Sequence, residues 1–343
     1  MKKHLNITVS LMLIILCTVF ASACDYGEAS QHRGEIYALD TLITVTAYGE
    51  KGDEGIAAAK SEIRRLEKLL SVTDENSDIF RINASKGEAV EVSSETYELI
   101  EKAISISVLT EGKFEPTVFP IVKLWGFTDK NYRVPEEIEI KNALSNVNCE
   151  NITLLGENRV KVPEGTQLDL GAVAKGYIGD MSAIAMEKAG VESGIISLGG
   201  NVKLMGENPQ NDSWNVGVNH PEDGVAFCKV KAEEGSIVTS GAYQRNFVFQ
   251  GVTYHHIINP ETGYPAESDI ESVTVVTQDG SLADGLSTAL YVGGSEYAAE
   301  LRKSQSDFEY IILTKNNELI ISQALKGKTE LLEGYENIKI TYR

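Results

Sequence analysis

From Glu54 to Leu70 the apolar residues Ile56, Ala59, Ile63, Leu66 and Leu70 recur at intervals of three or four, with Glu62, Arg64, Arg65 and Lys68 between them. That is the period of an amphipathic helix with one buried stripe. A second helix is predicted from about Glu95 to Leu109, where Ser93 or Ser94 can cap the first turn and Gly112 follows the last. A third opens after Leu170-Gly171 and runs from about Ala174 to Ala189, closed by Gly190, and two more are predicted near Ser281 to Tyr291 and Ser295 to Lys303. Elsewhere the pattern changes to short apolar runs. Glu35 to Tyr48 reads as a strand or strand pair. The runs GIISLGG, VKLMG, WNVGV, SIVTSG, NFVFQGVTYHHII and SVTVVT read as strands, as do FEYIIL and ELIIS around a Lys-Asn-Asn turn. Strand runs with interspersed helices predict an α+β fold: a mixed, largely antiparallel sheet flanked by helices.

The N-terminus follows neither period. MKKH supplies positive charge, LNITVSLMLIILCTVFA is apolar without an acidic residue, and Ala21-Ser22-Ala23 precede Cys24. This is the layout of a secretory signal, and its small-residue ending resembles a bacterial lipobox. On that reading residues 1–23 are removed, Cys24 is lipidated, residues 24–34 are a polar tether, and residues 35–343 are a single domain outside the cytoplasm. The alternative is an uncleaved anchor helix, for which the apolar run is at the short limit. Cleavage before Cys24 would remove Lys2 and Lys3 and no acidic residue, taking the formal charge from −19 to 29 minus 50, or −21. So acidic a surface repels nucleic acid and anionic headgroups, so membrane attachment would rest on acyl chains. After Cys24 only Cys149 and Cys228 remain, which excludes a disulfide scaffold.

Four stretches offer chemistry. Asp169, Ala172 and Lys175 stand at a predicted helix start, where free N–H groups and the helix dipole favour an anion, although glycine before a helix also serves simple turn chemistry. Arg245, in TSGAYQR, can fork onto a phosphate or carboxylate. Asp284 and Thr288, at i and i+4, share a helix face and can offer hard oxygen ligands to Mg²⁺, or merely cap a helix. His255 and His256 are adjacent, so on a strand only one of them can face a given pocket. Neither HExxH nor a cysteine cluster supports zinc. A hairpin with one packed and one solvated histidine remains an alternative.

Read together and in order, LDLGAVAKGY, SLGGN, TSGAYQRNF, HHIINPETGYP and ADGLSTAL resemble the signature set of the FAD:protein FMN transferase (ApbE) family. The resemblance extends upstream to LSVTDENSDIFRIN and GKFEPTVFPIVKLWGF, and so covers roughly residues 35–325. It implies an ApbE-like fold, FAD as substrate, Mg²⁺ as cofactor, and transfer of FMN to a threonine of a partner protein with release of AMP. By motif position it implies metal ligation by the Ala172 carbonyl, Asp284 and Thr288, with Ser287 a further candidate. Asp169, Lys175 and Arg245 would contact FAD, Trp125, Gly126 and Phe127 would line the flavin site, and Ile258 would back the nucleotide. His256 would face the pyrophosphate and His255 would point away. Leu39 and Thr73 occupy the positions that commonly sandwich the flavin ring, although Thr73 offers no ring to stack. The implied acceptor is a threonine-bearing subunit of a membrane redox complex. An FAD pyrophosphatase and a non-catalytic flavin-binding lipoprotein are the alternatives.

Overall fold

The computed structural model describes residues 30–211 and 213–343; the expected signal segment, Cys24 and most of the tether lie outside the described residues. In chain order the strands begin with β1 (Gln31–Ala38), β2 (Thr41–Tyr48), β3 (Val90–Glu91), β4 (Thr153–Leu154), β5 (Arg159–Lys161), β6 (Ser193–Leu198), β7 (Asn201–Met205), β8 (Trp214–Asn219) and β9 (Ala226–Ala232). They continue with β10 (Gly235–Gly241), β11 (Asn246–Phe249), β12 (Val252–His255), β13 (Ile270–Thr277), β14 (Glu309–Thr314), β15 (Glu318–Ile321), β16 (Thr329–Leu331) and β17 (Lys339–Tyr342). The α-helices are α1 (Gly52–Leu70), α2 (Asp78–Asn83), α3 (Ser94–Leu109), α4 (Phe119–Leu124), α5 (Glu137–Leu144), α6 (Gly171–Lys188) and α7 (Gly280–Ser304).

Among the described residues, nine strands form one sheet in the order β1-β2-β6-β7-β10-β13-β14-β15-β17. Every neighbouring pair is antiparallel except β15–β17. Both faces of its centre are covered. In β14, Tyr310 and Ile312 join the core under α7, whereas Ile311 and Leu313 join a second core beneath the small sheet β16-β9-β8. Alternate residues of a strand point to opposite faces, so double coverage turns polar–apolar alternation into the continuous apolar runs seen in the sequence.

Helices α1 and α6 pack over the β1-β2-β6 end around Ile56, Ile63, Leu66, Val173, Ile178 and Met186. Ser93 caps α3, its hydroxyl accepting the Thr96 N–H at 3.1 Å. Helix α6 begins at Gly171 rather than near Ala174, which puts Lys175 in the second turn and not the first. The two expected C-terminal helices are the halves of α7, broken at Gly294, whose φ of 86° and ψ of 174° are not helical. Asp269 caps the second half by accepting the Ser295 N–H at 3.0 Å.

Strand β1 starts at Gln31, so the last residues assigned to the tether belong to the sheet. It turns into β2 through Leu39 and Asp40, both at positive φ (53° and 57°). Cys149 and Cys228 are buried and free. The short elements between α3 and α6, and β9, β16 and β17, were not anticipated.

Candidate active site

Helices α6 and α7 cross at two glycines. A Cβ built on Gly176 would stand 1.9 Å from the Gly280 carbonyl oxygen, and one on Gly280 would stand 2.5 Å from the Gly176 oxygen. Only backbone against backbone fits there. The crossing brings the buried Asp284 carboxylate of α7 against α6, where its Oδ2 accepts the Gly176 N–H at 3.0 Å and its Oδ1 lies 3.9 Å from Lys175 Nζ. That N–H is the one regular helix geometry aims at the Ala172 carbonyl. Behind the crossing, Asp180 accepts the Gly280 N–H at 2.8 Å and pairs with Lys203 at 2.8 Å.

The crossing forms one wall of a cleft of about 220 Å³. Asp169, Ala172, Lys175, Arg245, His256, Ile258, Asp284 and Thr288 all line it, and these come from four of the sequence motifs. Asp169 is anchored by its N–H to the Pro116 carbonyl (2.8 Å) and accepts the Gly171 N–H on Oδ1 (2.8 Å). Burial raises its carboxyl above the ordinary value, opposed by Arg245 and Lys175. Arg245 is held by a hydrogen bond from its guanidinium to the Phe127 carbonyl.

The two histidines separate as strand geometry requires. β12 ends at His255, which is buried, donates from Nε2 to the Ala266 carbonyl (3.1 Å) and meets the Tyr291 ring edge-on. His256, just past the strand, gives its backbone N–H to the Arg245 carbonyl at 3.0 Å and its Nδ1–H to the same oxygen at 3.1 Å. A carbonyl can only accept, so the proton sits on Nδ1 and Nε2 keeps its lone pair. Burial, reinforced by the charges of Arg245 and Lys175, holds the His256 pKa down at about 4. It is a neutral imidazole with one uncommitted basic nitrogen.

Oxygen donors dominate the α7 side. Asp284 and Thr288 share the cleft with the first turn of α6. Ser287 lies behind them, fully buried, donating to the Asp284 carbonyl (2.8 Å) and accepting from Ser240 (2.7 Å). No group of three His, Cys, Asp or Glu able to hold a metal occurs among the described residues. A carboxylate, a hydroxyl and a backbone carbonyl are nevertheless the hard donors Mg²⁺ takes, with phosphate oxygens and water completing its shell. The donor set therefore fits that ion.

Residues 39–312 match the family model described as the ApbE family. The chain belongs to the ApbE family. A Klebsiella pneumoniae protein named FAD:protein FMN transferase is 33% identical over 297 residues, covering 84% of this chain and 92% of the relative. One of the same name from Treponema pallidum is 29% identical over 347 residues, covering 95% and 96%. The solved ApbE protein of Thermotoga maritima superposes with a TM-score of 0.82 at 33% identity, over 87% of this chain and 99% of that one. The flavin transferase ApbE of Vibrio cholerae superposes at 0.79 and 25% identity, over 88% and 99%.

Not every expected site residue of this ApbE-family chain lines the cleft. Trp125 is fully buried, donates its indole N–H to the Gly263 carbonyl (2.8 Å), and packs with Tyr254 and Tyr264. Gly126, at φ 77°, lies where a Cβ would strike the Asn131 carbonyl at 2.0 Å. With the buried Phe127 they support the wall that carries Arg245 and Ile258 rather than forming its surface. Leu39 packs on the first core and gives its N–H to Glu67 (2.6 Å). Thr73 is exposed after α1, its hydroxyl 3.2 Å from that of Ser71.

The cleft also contains residues that sequence reasoning passed over: Lys113, Phe114, Glu115, Asn201 and Gln244. Asn201 is 3% exposed, and its side-chain nitrogen has no hydrogen-bond partner among the described residues. Its signal in the sequence is the asparagine that closes SLGGN, directly after two glycines.

Proposed function

We propose that this chain is a Mg²⁺-dependent FAD:protein FMN transferase, moving the FMN half of FAD onto a threonine hydroxyl of a partner redox protein and releasing AMP. The observation that carries this reading is the neutral His256, its Nδ1 committed to the Arg245 carbonyl, in one cleft with Lys175, Arg245 and Asp284. In that arrangement Nε2 accepts the proton of the incoming threonine hydroxyl. The threonine oxygen forms a bond to the FMN phosphorus as the bond from that phosphorus to the bridging oxygen breaks, and the electron pair leaves with AMP.

Lys175 and Arg245 balance the pyrophosphate charge. Asp284, Thr288 and the Ala172 carbonyl would hold Mg²⁺, which when bound neutralises charge on the phosphate oxygens. Ser287 fixes Asp284 from behind. Asp169 contacts FAD, and Asn201 offers its free carboxamide to the same ligand, since a buried amide without a partner is costly until something enters to meet it. Ile258 backs the nucleotide. The flavin ring extends past Leu39 and Thr73 on one side and the segment around Trp125, Gly126 and Phe127 on the other. Cys24 is the point of lipid attachment, which keeps the enzyme outside the cytoplasm beside a membrane-bound acceptor.

Incubation with FAD, Mg²⁺ and a threonine-bearing acceptor domain should give a fluorescent acceptor band on a denaturing gel and stoichiometric AMP. AMP without a labelled acceptor would replace the transferase by a pyrophosphatase. FAD binding without either product would leave a flavin-binding protein. Separately, Cys24→Ala should shift the protein from the membrane fraction to the soluble one, and full retention on membranes would reject lipidation there.

A further inference from the structure

The β11–β12 hairpin belongs to no larger sheet: among the described residues its two strands pair only with each other. Its roots are Arg245 and His256, joined by the 3.0 Å bond from the His256 N–H to the Arg245 carbonyl, and both line the cleft. A chain lying along the hairpin is therefore led to the imidazole.

One face of the hairpin is continuous with the buried aromatic cluster. Cross-strand partners share a face, so the pair Phe247–Tyr254 and the pair Phe249–Val252 lie on the same side. The inner pair packs on Trp125 and Tyr132, with Phe247 stacked on Tyr132 at 5.0 Å. The outer pair carries that apolar surface into solvent, Phe249 at 45% and Val252 at 51% exposure. Edge strands are normally guarded by lysine, proline or a bulge, and large apolar surface beside a site marks an interaction. Asn246 to Tyr254 contains no charged residue and no proline, in a chain of which 24% is charged.

We infer that this hairpin is the docking platform for the acceptor polypeptide, whose extended segment lies along the Phe249–Val252 face and delivers its hydroxyl to His256. The inference rests on the transferase reading, because only that reaction brings a polypeptide to the cleft. An extended segment suits an unpaired hairpin, which offers main-chain groups along its edges and pockets for alternate side chains. A lipid surface suits it less. No basic residue lies between Asn246 and His255, and a chain of net charge −19 repels anionic headgroups.

The test is the Phe249→Ser/Val252→Ser double variant, with Val225→Ser as a control on another exposed apolar side chain, outside the hairpin. With a purified acceptor domain at subsaturating concentration, the double variant should lose about tenfold or more of its transfer rate, as expected for apolar anchors of an interface. FAD affinity and the slow release of AMP without acceptor should stay at wild-type values, and Phe249→Leu, which keeps the apolar area, should retain transfer. Wild-type transfer by the double variant overturns the inference. So does loss of self-association or of binding to phosphatidylglycerol vesicles with transfer intact, since the face would then serve a second copy or a membrane. A fall in FAD affinity matching the fall in transfer would mean the cleft itself was disturbed and equally overturns it. Failure of the wild type to label any acceptor would reject the transferase reading, and the docking role with it.

Discussion

On one wall of the cleft, α6 and α7 meet backbone to backbone at Gly176 and Gly280, and Asp180 behind them pairs with Lys203. On the opposite wall, residues 113–132 and the hairpin are held by side chains: an aromatic cluster, the Arg245–Phe127 bond, and an ion pair of 2.6 Å between Lys113 and Glu261. The first wall has little freedom to rearrange, because backbone atoms of the two helices are in direct contact there and no side chain lies between them to change rotamer. The second can shift by changing rotamers. Lys175, Asp284 and Thr288 stand on the rigid side, and Arg245 and His256, at the root of the hairpin, stand on the adaptable one.

The contrast breaks most severely at Asp284. Asp284→Ala should lower Mg²⁺-dependent turnover by about 10³-fold or more, the loss expected when a charge-neutralising ion is no longer held. Unchanged turnover at subsaturating Mg²⁺ would show that Asp284 holds no metal. Next comes His256→Ala, for which a loss of about 10²-fold, within the range for a missing general base, should appear in turnover while FAD titrations remain unchanged. His255→Ala should do the reverse, lowering the melting temperature through the lost Ala266 bond and Tyr291 contact while the folded fraction keeps its turnover. Equal turnover losses in the two variants would dissolve the distinction between them.

Gly176→Ala tests the rigid wall directly. Its Cβ would meet a backbone oxygen at 1.9 Å, so the helices must part, at about 1–3 kcal/mol by the usual cost of overpacking. Denaturant unfolding should show that loss. A further effect belongs to acid. The folded protein keeps His256 neutral to about pH 4, whereas an exposed imidazole ordinarily takes up its proton near 6.5. The unfolded chain therefore binds more protons between those limits, and stability falls as pH drops through that window. His256→Gln removes this contribution, so its unfolding midpoint should decline less than the wild type's from pH 6.5 to 4. The smallest effect is expected at the adaptable wall. Lys113→Ala breaks an ion pair whose glutamate is largely exposed, and should change stability by less than about 1 kcal/mol in thermal melts.

These elements were not equally legible in the sequence. Helices α1, α3 and α6 were, because each has apolar spacing or cap residues near its ends, and the break in α7 showed as a Gly-Gly-Ser between two periodic stretches. The central strands were legible because burial on both faces makes them uniformly apolar. Strands β9, β16 and β17 were not: β9 alternates lysines with apolar residues in a small outer sheet, and the other two are very short. The short helices α4 and α5, of 6 and 8 residues, are stabilised by the Trp125 cluster rather than by their own period. In the cleft, the i and i+4 spacing of Asp284 and Thr288 and the opposed histidines followed from local geometry. The convergence of Asp169, Arg245 and Asp284 came only through the motif resemblance, since nothing local brings them together. The resemblance implies a flavin-lining place for Trp125 by motif position alone. The carbonyl of Gly263, which satisfies its indole N–H, explains why it is interior instead.

The glycine crossing has a consequence for how descendants of such a chain can diverge. Neither Gly176 nor Gly280 accepts a side chain without forcing the helices apart, because each Cβ would meet the other's carbonyl. A lineage is therefore pinned at this point. Phe249 and Val252, by contrast, stand in open solvent, where most single replacements are compatible with folding. On the docking role inferred above, successive generations could exchange them one at a time, and so follow a drifting protein partner, while the chemistry a few residues away is inherited unaltered.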